Sequence, residues 1–273
     1  QDYYNSIINM YAEWGVDFIK CDDIAVTEFR KWDNPYTADY EIEMLRKAID
    51  NCGREIVLSL SPGPALRDKA DHLCKNANMW RMTGDFWDLW EHLYVMFDKC
   101  EEWQGVRKTG NYPDCDMLPI GRISKLCSYH GKQNRMSNFT KPEHYTLMSL
   151  WGIFGSPLFI GGNMPENDEF TLSLLTNSDY MKMQKESANP HCIAREEKNN
   201  KGYIIWASHG KKGALSDASR LFLFYLSDTI LFVIFINCCF QFIIDHNFSQ
   251  TFFIVKTLHN FFHCNNGCCR ETI

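Results

Sequence analysis

Three short segments of this chain end in carboxylates set close to a cation or to each other. Trp14-Gly15-Val16-Asp17-Phe18-Ile19-Lys20-Cys21-Asp22-Asp23 begins apolar and turns abruptly charged. Trp80-Arg81-Met82-Thr83-Gly84-Asp85 places an arginine four residues before an acid, and Asp114-Cys115-Asp116 repeats an acid two residues on. Side chains on a strand alternate between faces. The alternation groups Val16, Phe18, Lys20 and Asp22 on one face, Arg81, Thr83 and Asp85 on a second, and Asp114 with Asp116 on a third. Glycoside hydrolysis needs two carboxyl groups flanking the scissile bond, one ionised to attack or activate water and one protonated to release the leaving group. The Lys20 counter-charge suits Asp22 to the first role. The aromatic neighbours Phe86 and Trp87 suit Asp85 to the second, with Arg81 opposing. Spacing alone leaves other readings open. Lys20 and Asp22 could be a solvent-exposed ion pair, Asp85 a helix cap ahead of Phe86, and Asp116 a residue that only orients a loop.

The elements that would carry these residues follow from periodicity. Residues 2–13 have Tyr4, Ile7, Ile8 and Tyr11 at helical spacing, and residues 38–52 repeat the pattern with Ile42, Leu45 and Ile49 before stopping at Gly53. Glu55–Leu60 reads as a strand that breaks at Ser61-Pro62-Gly63-Pro64. A short helix over 66–76, a strand at 79–83, a long aromatic helix at 86–104 and a strand at Met117–Ile120 continue the alternation. Thr140-Lys141-Pro142-Glu143 has the capping residue, early proline and glutamate of a helix start, and that helix should run to Gly155. A strand at 156–162 and short helices near 168–176 and 178–186 follow. Strands alternating with helices indicate a parallel α/β arrangement, and acids at the ends of several of its strands would converge at the top of a barrel. From about Cys192 the texture becomes β, with Gly202–Trp206 the clearest strand.

The expected organisation is therefore residues 1–190 as barrel, 191–228 as the start of a β-domain, and 229–273 as an apolar, Cys-rich tail. Residues 229–244 are almost unbroken Ile, Leu, Phe, Val and Cys, a run shorter than the roughly 20 residues of a membrane helix. A buried hairpin and a tail anchor are both open readings. The aperiodic Phe/His/Asn/Cys mixture that continues to Ile273 favours a third, sequence that did not evolve as a domain. Soluble expression with and without residues 217–273 separates them.

Bulk properties narrow the class. The chain has 273 residues, 45% hydrophobic and 23% charged, which is ordinary for a globular protein. A net charge of −6 gives no electrostatic reason to bind a nucleic-acid backbone. The high aromatic content of 14% suits either a sugar-stacking site or a large core, and Trp80 and Trp87 are assigned to the core. Of twelve cysteines, none forms a CxxC pair with zinc-site spacing. His130, His144, His191 and His209 show no ligand spacing and read as surface or capping residues. Sequons at Asn138 and Asn247 are compatible with secretion.

The blocks Trp14–Asp22, Trp80–Asp85 and Asp114–Gly121, in this order and spacing, resemble the signature blocks of glycoside hydrolase family 27, the α-galactosidase or melibiase family. Tyr145–Ile160 resembles its last barrel unit, so the likeness covers residues 1 to about 210. The resemblance implies a (β/α)8 TIM barrel, here its strands 4 to 8, followed by an antiparallel β-domain. It implies Asp22 as nucleophile and Asp85 as acid/base, with Lys20 and Arg81 binding sugar hydroxyls and Asp116 shaping the pocket floor. The implied activity is retaining removal of terminal α-D-galactosyl residues by double displacement, with no cofactor or metal. β-L-Arabinopyranosidase action, or an inactive fragment that at most binds sugar, is the alternative. Galactoside or arabinopyranoside oligosaccharides or glycans are the implied partners, without nucleic acid or membrane. The resemblance further implies disulfides and a secreted, vacuolar or lysosomal setting for the whole protein. Three departures stand out. The first three βα units of the family barrel are not represented. Asp23 and Ile24 follow the nucleophile in place of the family's Asn or Gly and Cys, which removes a pocket disulfide. Leu60-Ser61-Pro62-Gly63 replaces a Cys-Glu-Trp that reads the sugar 2-position.

Overall fold

The computed structural model describes residues 1–24, 38–61, 64–126, 128, 130–198, 201–210, 220–227 and 230–237. Helix α1 (Asp2–Glu13) leads into strand β1 (Phe18–Asp22), then α2 (Asp39–Asn51), β2 (Val57–Ser61), α3 (Ala70–Asn76), β3 (Met79–Arg81), α4 (Trp90–Trp103) and β4 (Tyr112–Asp114). The four strands form a parallel sheet in sequential order, each joined to the next by a helical crossover. The amphipathic stripe expected for α2 is the face it buries, through Ile42, Leu45, Ala48 and Ile49.

The pleat sorts the strand residues. Paired positions such as Lys20 with Ser59, Asp22 with Ser61, and Arg81 with Asp114 share one face. The alternate residues Leu58, Leu60 and Trp80 are fully buried on the other face. Burying each such side chain contributes about 1.5–3 kcal/mol. One face of the sheet is thus an apolar core, and the other carries a row of polar groups at the carboxyl ends of the strands.

A short antiparallel pair, β5 (Arg122–Ile123) and β6 (Arg135–Met136), precedes α5 (Lys141–Phe154). Helix α5 has the full set of end signals. Thr140 and Glu143 form a capping box, a proline sits in the first turn, and Gly155 closes the helix in the left-handed conformation at φ 73°. It is buried nearly all round, because it packs against α4, α7 (Ser178–Glu186) and the antiparallel sheet that follows. Helix α6 (Glu169–Leu175) lies between α5 and α7 in sequence. Strands β7 (Ser187–Lys198), β8 (Lys201–Gly210), β9 (Arg220–Ser227) and β10 (Ile230–Asn237) form an antiparallel meander. Among the described residues no helix is long and apolar enough to cross a membrane.

Several expectations need correction. The strand placed at Met117–Ile120 is at Tyr112–Asp114 instead, and 117–120 contributes only an isolated bridge between Leu118 and Ile160. The expected strand at 156–162 is likewise reduced to that bridge. Helix α4 starts at Trp90 rather than 86, because the backbone N–H groups of Phe86 and Trp87 donate to Asp116 Oδ2 and His92 Nδ1 instead of entering a helix. His144, expected as a surface or capping residue, is buried rather than on the surface. Its Nδ1 lies 2.8 Å from the Thr140 carbonyl, and its ring meets Phe139 and Phe170 edge-on. Within the apolar run expected over 229–244, Ile230–Asn237 forms strand β10, and residues 238–273 lie outside the described residues. The six described cysteines that have assigned states are all free thiols, so none of them makes the expected disulfide.

Candidate active site

Strand β3 delivers Arg81 to the polar face with its side chain only 5% exposed. Arg81 Nη1 donates to Ser61 Oγ on β2 at 3.3 Å, while Nη2 donates to Asp85 Oδ1 at 2.9 Å and lies 3.2 Å from Asp116 Oδ2. A guanidinium can serve several acceptors at once because its donors are fixed in a planar fork. Asp85 is reached through a turn rather than along a strand, since β3 ends at Arg81. Its side chain is 80% exposed, which leaves one end of the Arg81 cluster open to solvent. The helix-cap reading of Asp85 falls away, because the residue preceding α4 is Leu89.

Asp116 anchors the other end. Its backbone is left-handed at φ 79°, an uncommon state for any residue but glycine. Three bonds hold it there. The Asp116 N–H donates to Asp114 Oδ1 at 2.9 Å, its carbonyl accepts from Trp151 Nε1 at 3.1 Å, and its carboxylate accepts from the Phe86 N–H at 2.8 Å. Asp116 therefore grips both Arg81 and the residue next to Asp85.

Asp114, whose acid character is visible in the sequence but which carries no assigned role there, is buried at the end of β4. Burial pushes its carboxyl up to about 7, opposed by the Asp116 N–H, raised further by the Asp116 charge, and lowered by Arg81 and Lys20. Burial also raises the Asp116 carboxyl, against the pull of Arg81, the Phe86 and Met117 N–H groups and Lys20. Lys20 thus acts electrostatically on both acids from β1. Asp22 is exposed at the end of the same strand, beside Ser61 in register, while Cys21 turns the other way and packs on the core. Among the described residues no hydrogen bond or ion pair joins Asp22 or Lys20 to the Arg81 cluster. They share its sheet face, and Asp22 stands in register with Ser61, whose hydroxyl accepts from Arg81.

The signal for Asp114 and Ser61 was their register with Arg81, which a sequence without strand pairings does not display. No group of three or more His, Cys, Asp and Glu among the described residues is placed to hold a metal ion. A surface depression lined by Asp17, Arg54, Val57 and Asn78 lies at the amino-terminal ends of the strands, away from the carboxylates. In an open parallel sheet ligands bind at the carboxyl ends, so it is not the candidate site.

Comparison with known proteins decides the family. The melibiase family model, described as alpha galactosidase A, matches residues 1–186. The chain belongs to the melibiase family. Among solved structures, a β-L-arabinopyranosidase of glycoside hydrolase family 27 from Geobacillus stearothermophilus is 46% identical with a TM-score of 0.75, covering 82% of this chain and 49% of that one. A putative α-N-acetylgalactosaminidase from Bacillus halodurans is 44% identical with a TM-score of 0.64, covering 83% and 49%. Alpha-galactosidase 2 of Arabidopsis thaliana is 28% identical over 64% of this chain and 39% of its own length. This melibiase-family chain thus spans about half, or less, of the length of these relatives. Its parallel sheet followed by an antiparallel one is the family architecture, in part.

Proposed function

We propose that this chain carries the reacting carboxylates of a retaining exo-glycosidase that removes terminal β-L-arabinopyranosyl residues. The observation that carries the glycosidase reading is the polar row on one sheet face, with Asp22 at one end and the Arg81–Asp85–Asp116 cluster at the other. Asp22 attacks the anomeric carbon while Asp85 protonates the departing oxygen. Asp85 then takes a proton from the water that releases the sugar from Asp22. The solvent exposure of Asp85 suits a group that exchanges protons with leaving group and water in turn. Lys20 and Arg81 supply donors for sugar hydroxyls.

The glycone assignment rests on the similarity to the Geobacillus arabinopyranosidase, at 46% identity against 28% for alpha-galactosidase 2 of Arabidopsis thaliana. A second reading, α-D-galactosidase action, is favoured by the family match itself. The two sugars differ chiefly by the C6 group, so one site can be compared on both. Release of nitrophenol from aryl β-L-arabinopyranoside and aryl α-D-galactoside tests the proposal. Faster turnover of the arabinopyranoside, abolished in Asp22→Asn, supports it. Preference for the galactoside selects the second reading, and turnover unchanged in Asp22→Asn overturns both.

A further inference from the structure

Cys100 lies on α4 and Cys115 between the two acids Asp114 and Asp116, and both side chains are fully buried. Their Sγ atoms are 3.8 Å apart. The other described cysteines make no such approach. Cys52 Sγ turns to the Ile49 carbonyl and Cys192 Sγ to the Ala194 carbonyl. The proposed mechanism uses neither Cys100 nor Cys115. A disulfide needs its sulfurs at about 2.05 Å, so closure requires roughly 1.8 Å of approach, within reach of modest side-chain rotation at two positions. The Cys115 backbone is already fixed, its N–H donating to Ser156 Oγ at 3.0 Å.

We propose that Cys100 and Cys115 are a covalent cross-link site, which a small-molecule disulfide oxidises to a bond tying α4 to the loop that leaves β4 between Asp114 and Asp116. One cysteine, as thiolate, attacks a sulfur of the small disulfide and expels one small thiolate. The second cysteine then attacks the mixed disulfide and expels the other. Two electrons pass to the small disulfide, and the two cysteine protons end on the released thiols. Burial pushes the Cys100 thiol well above its ordinary range, so the reactive form appears only when α4 and the loop part transiently. The reaction is accordingly slow, and it selects this pair because the partner sulfur is already adjacent. The inference does not rest on the glycosidase reading, since the bond forms or fails whatever the site does.

The test uses the whole chain held in an excess of glutathione disulfide over glutathione at about pH 8. Acid quenching, alkylation of the remaining thiols, digestion and mass spectrometry then follow. The expected result is a joined peptide pair carrying Cys100 and Cys115, lighter than the two thiol peptides by two hydrogens. The cross-linked chain should also melt about 5–10 °C higher than the reduced one, a gain lost on reduction and absent in Cys100→Ala. Recovery of both cysteines as alkylated thiols, as separate glutathione adducts or joined to other cysteines overturns the proposal. So does a cross-linked form that melts at or below the reduced one, since the bond would then not fit the native packing.

Discussion

Arg81 is almost wholly out of water, and a guanidinium there is tolerable only with partners on several sides. Ser61, Asp85 and Asp116 provide them, from the strand before, the turn after and the loop beyond β4. Of the two carboxylates Asp116 is the buried one, so Asp116→Asn should destabilise the chain by about 2 kcal/mol, measured by urea unfolding. The same change should loosen the grip on the Phe86 N–H and slow aryl-glycoside turnover through Asp85, chiefly in kcat. Asp114 gives a pH signature. Its carboxyl is raised to about 7, so it binds its proton more tightly folded than unfolded. That contribution to stability is whole below about pH 4 and is lost as pH climbs through about 7, by up to about 4 kcal/mol. Asp114→Asn should flatten the decline between these limits, and a decline as steep as that of the parent chain would contradict the assignment. Residue type and spacing single out Lys20, Asp22, Arg81, Asp85 and Asp116, and the family resemblance supplies the roles expected of them. Asp114 was legible only as an acid. Its burial depends on pairing with Arg81 across two strands, which no single segment encodes.

At the level of elements, helices were readable where end signals and periodicity agreed. The capping box at Thr140 and the glycine at 155 bracket α5 as expected, and α2 buries its predicted stripe. Thr140→Ala should cost about 1 kcal/mol of stability by loss of the cap. Gly155→Ala should cost more than about 1 kcal/mol, since its backbone is left-handed. An added Cβ would also come within 2.4 Å of the Arg107 guanidinium, which donates to the Ser187 carbonyl at the start of β7. Thermal melting of both variants measures this order, and equal losses would show that the Arg107 contact gives way freely. The strands were harder to read. Met117–Ile120 is apolar enough for a buried strand, yet the paired segment is the less apolar Tyr112-Pro113-Asp114. Asp116 in its left-handed conformation ends the pairing before the apolar residues arrive. The turn that brings Asp85 back to Arg81 was also hidden, because period-2 alternation predicts the same proximity for a different reason.

At the level of the whole molecule, a parallel sheet that stacks an apolar face on helices and a polar face on the opposite side explains why the charged residues cluster where they do. The α/β order and the switch to antiparallel strands followed from the sequence, because helix and strand periods differ sharply there. The structural similarities agree with both. The glycone was less legible, since it depends on loop residues that set the shape of the sugar site rather than on the strand-end acids. The central claim is that Asp22 attacks the anomeric carbon of an arabinopyranoside. The direct test is incubation with 2-deoxy-2-fluoro-β-L-arabinopyranosyl fluoride, followed by peptide mass spectrometry. Double displacement predicts a stable glycosyl ester on the peptide containing Asp22, absent in Asp22→Asn. An adduct on any other carboxylate, Asp85 included, would contradict it.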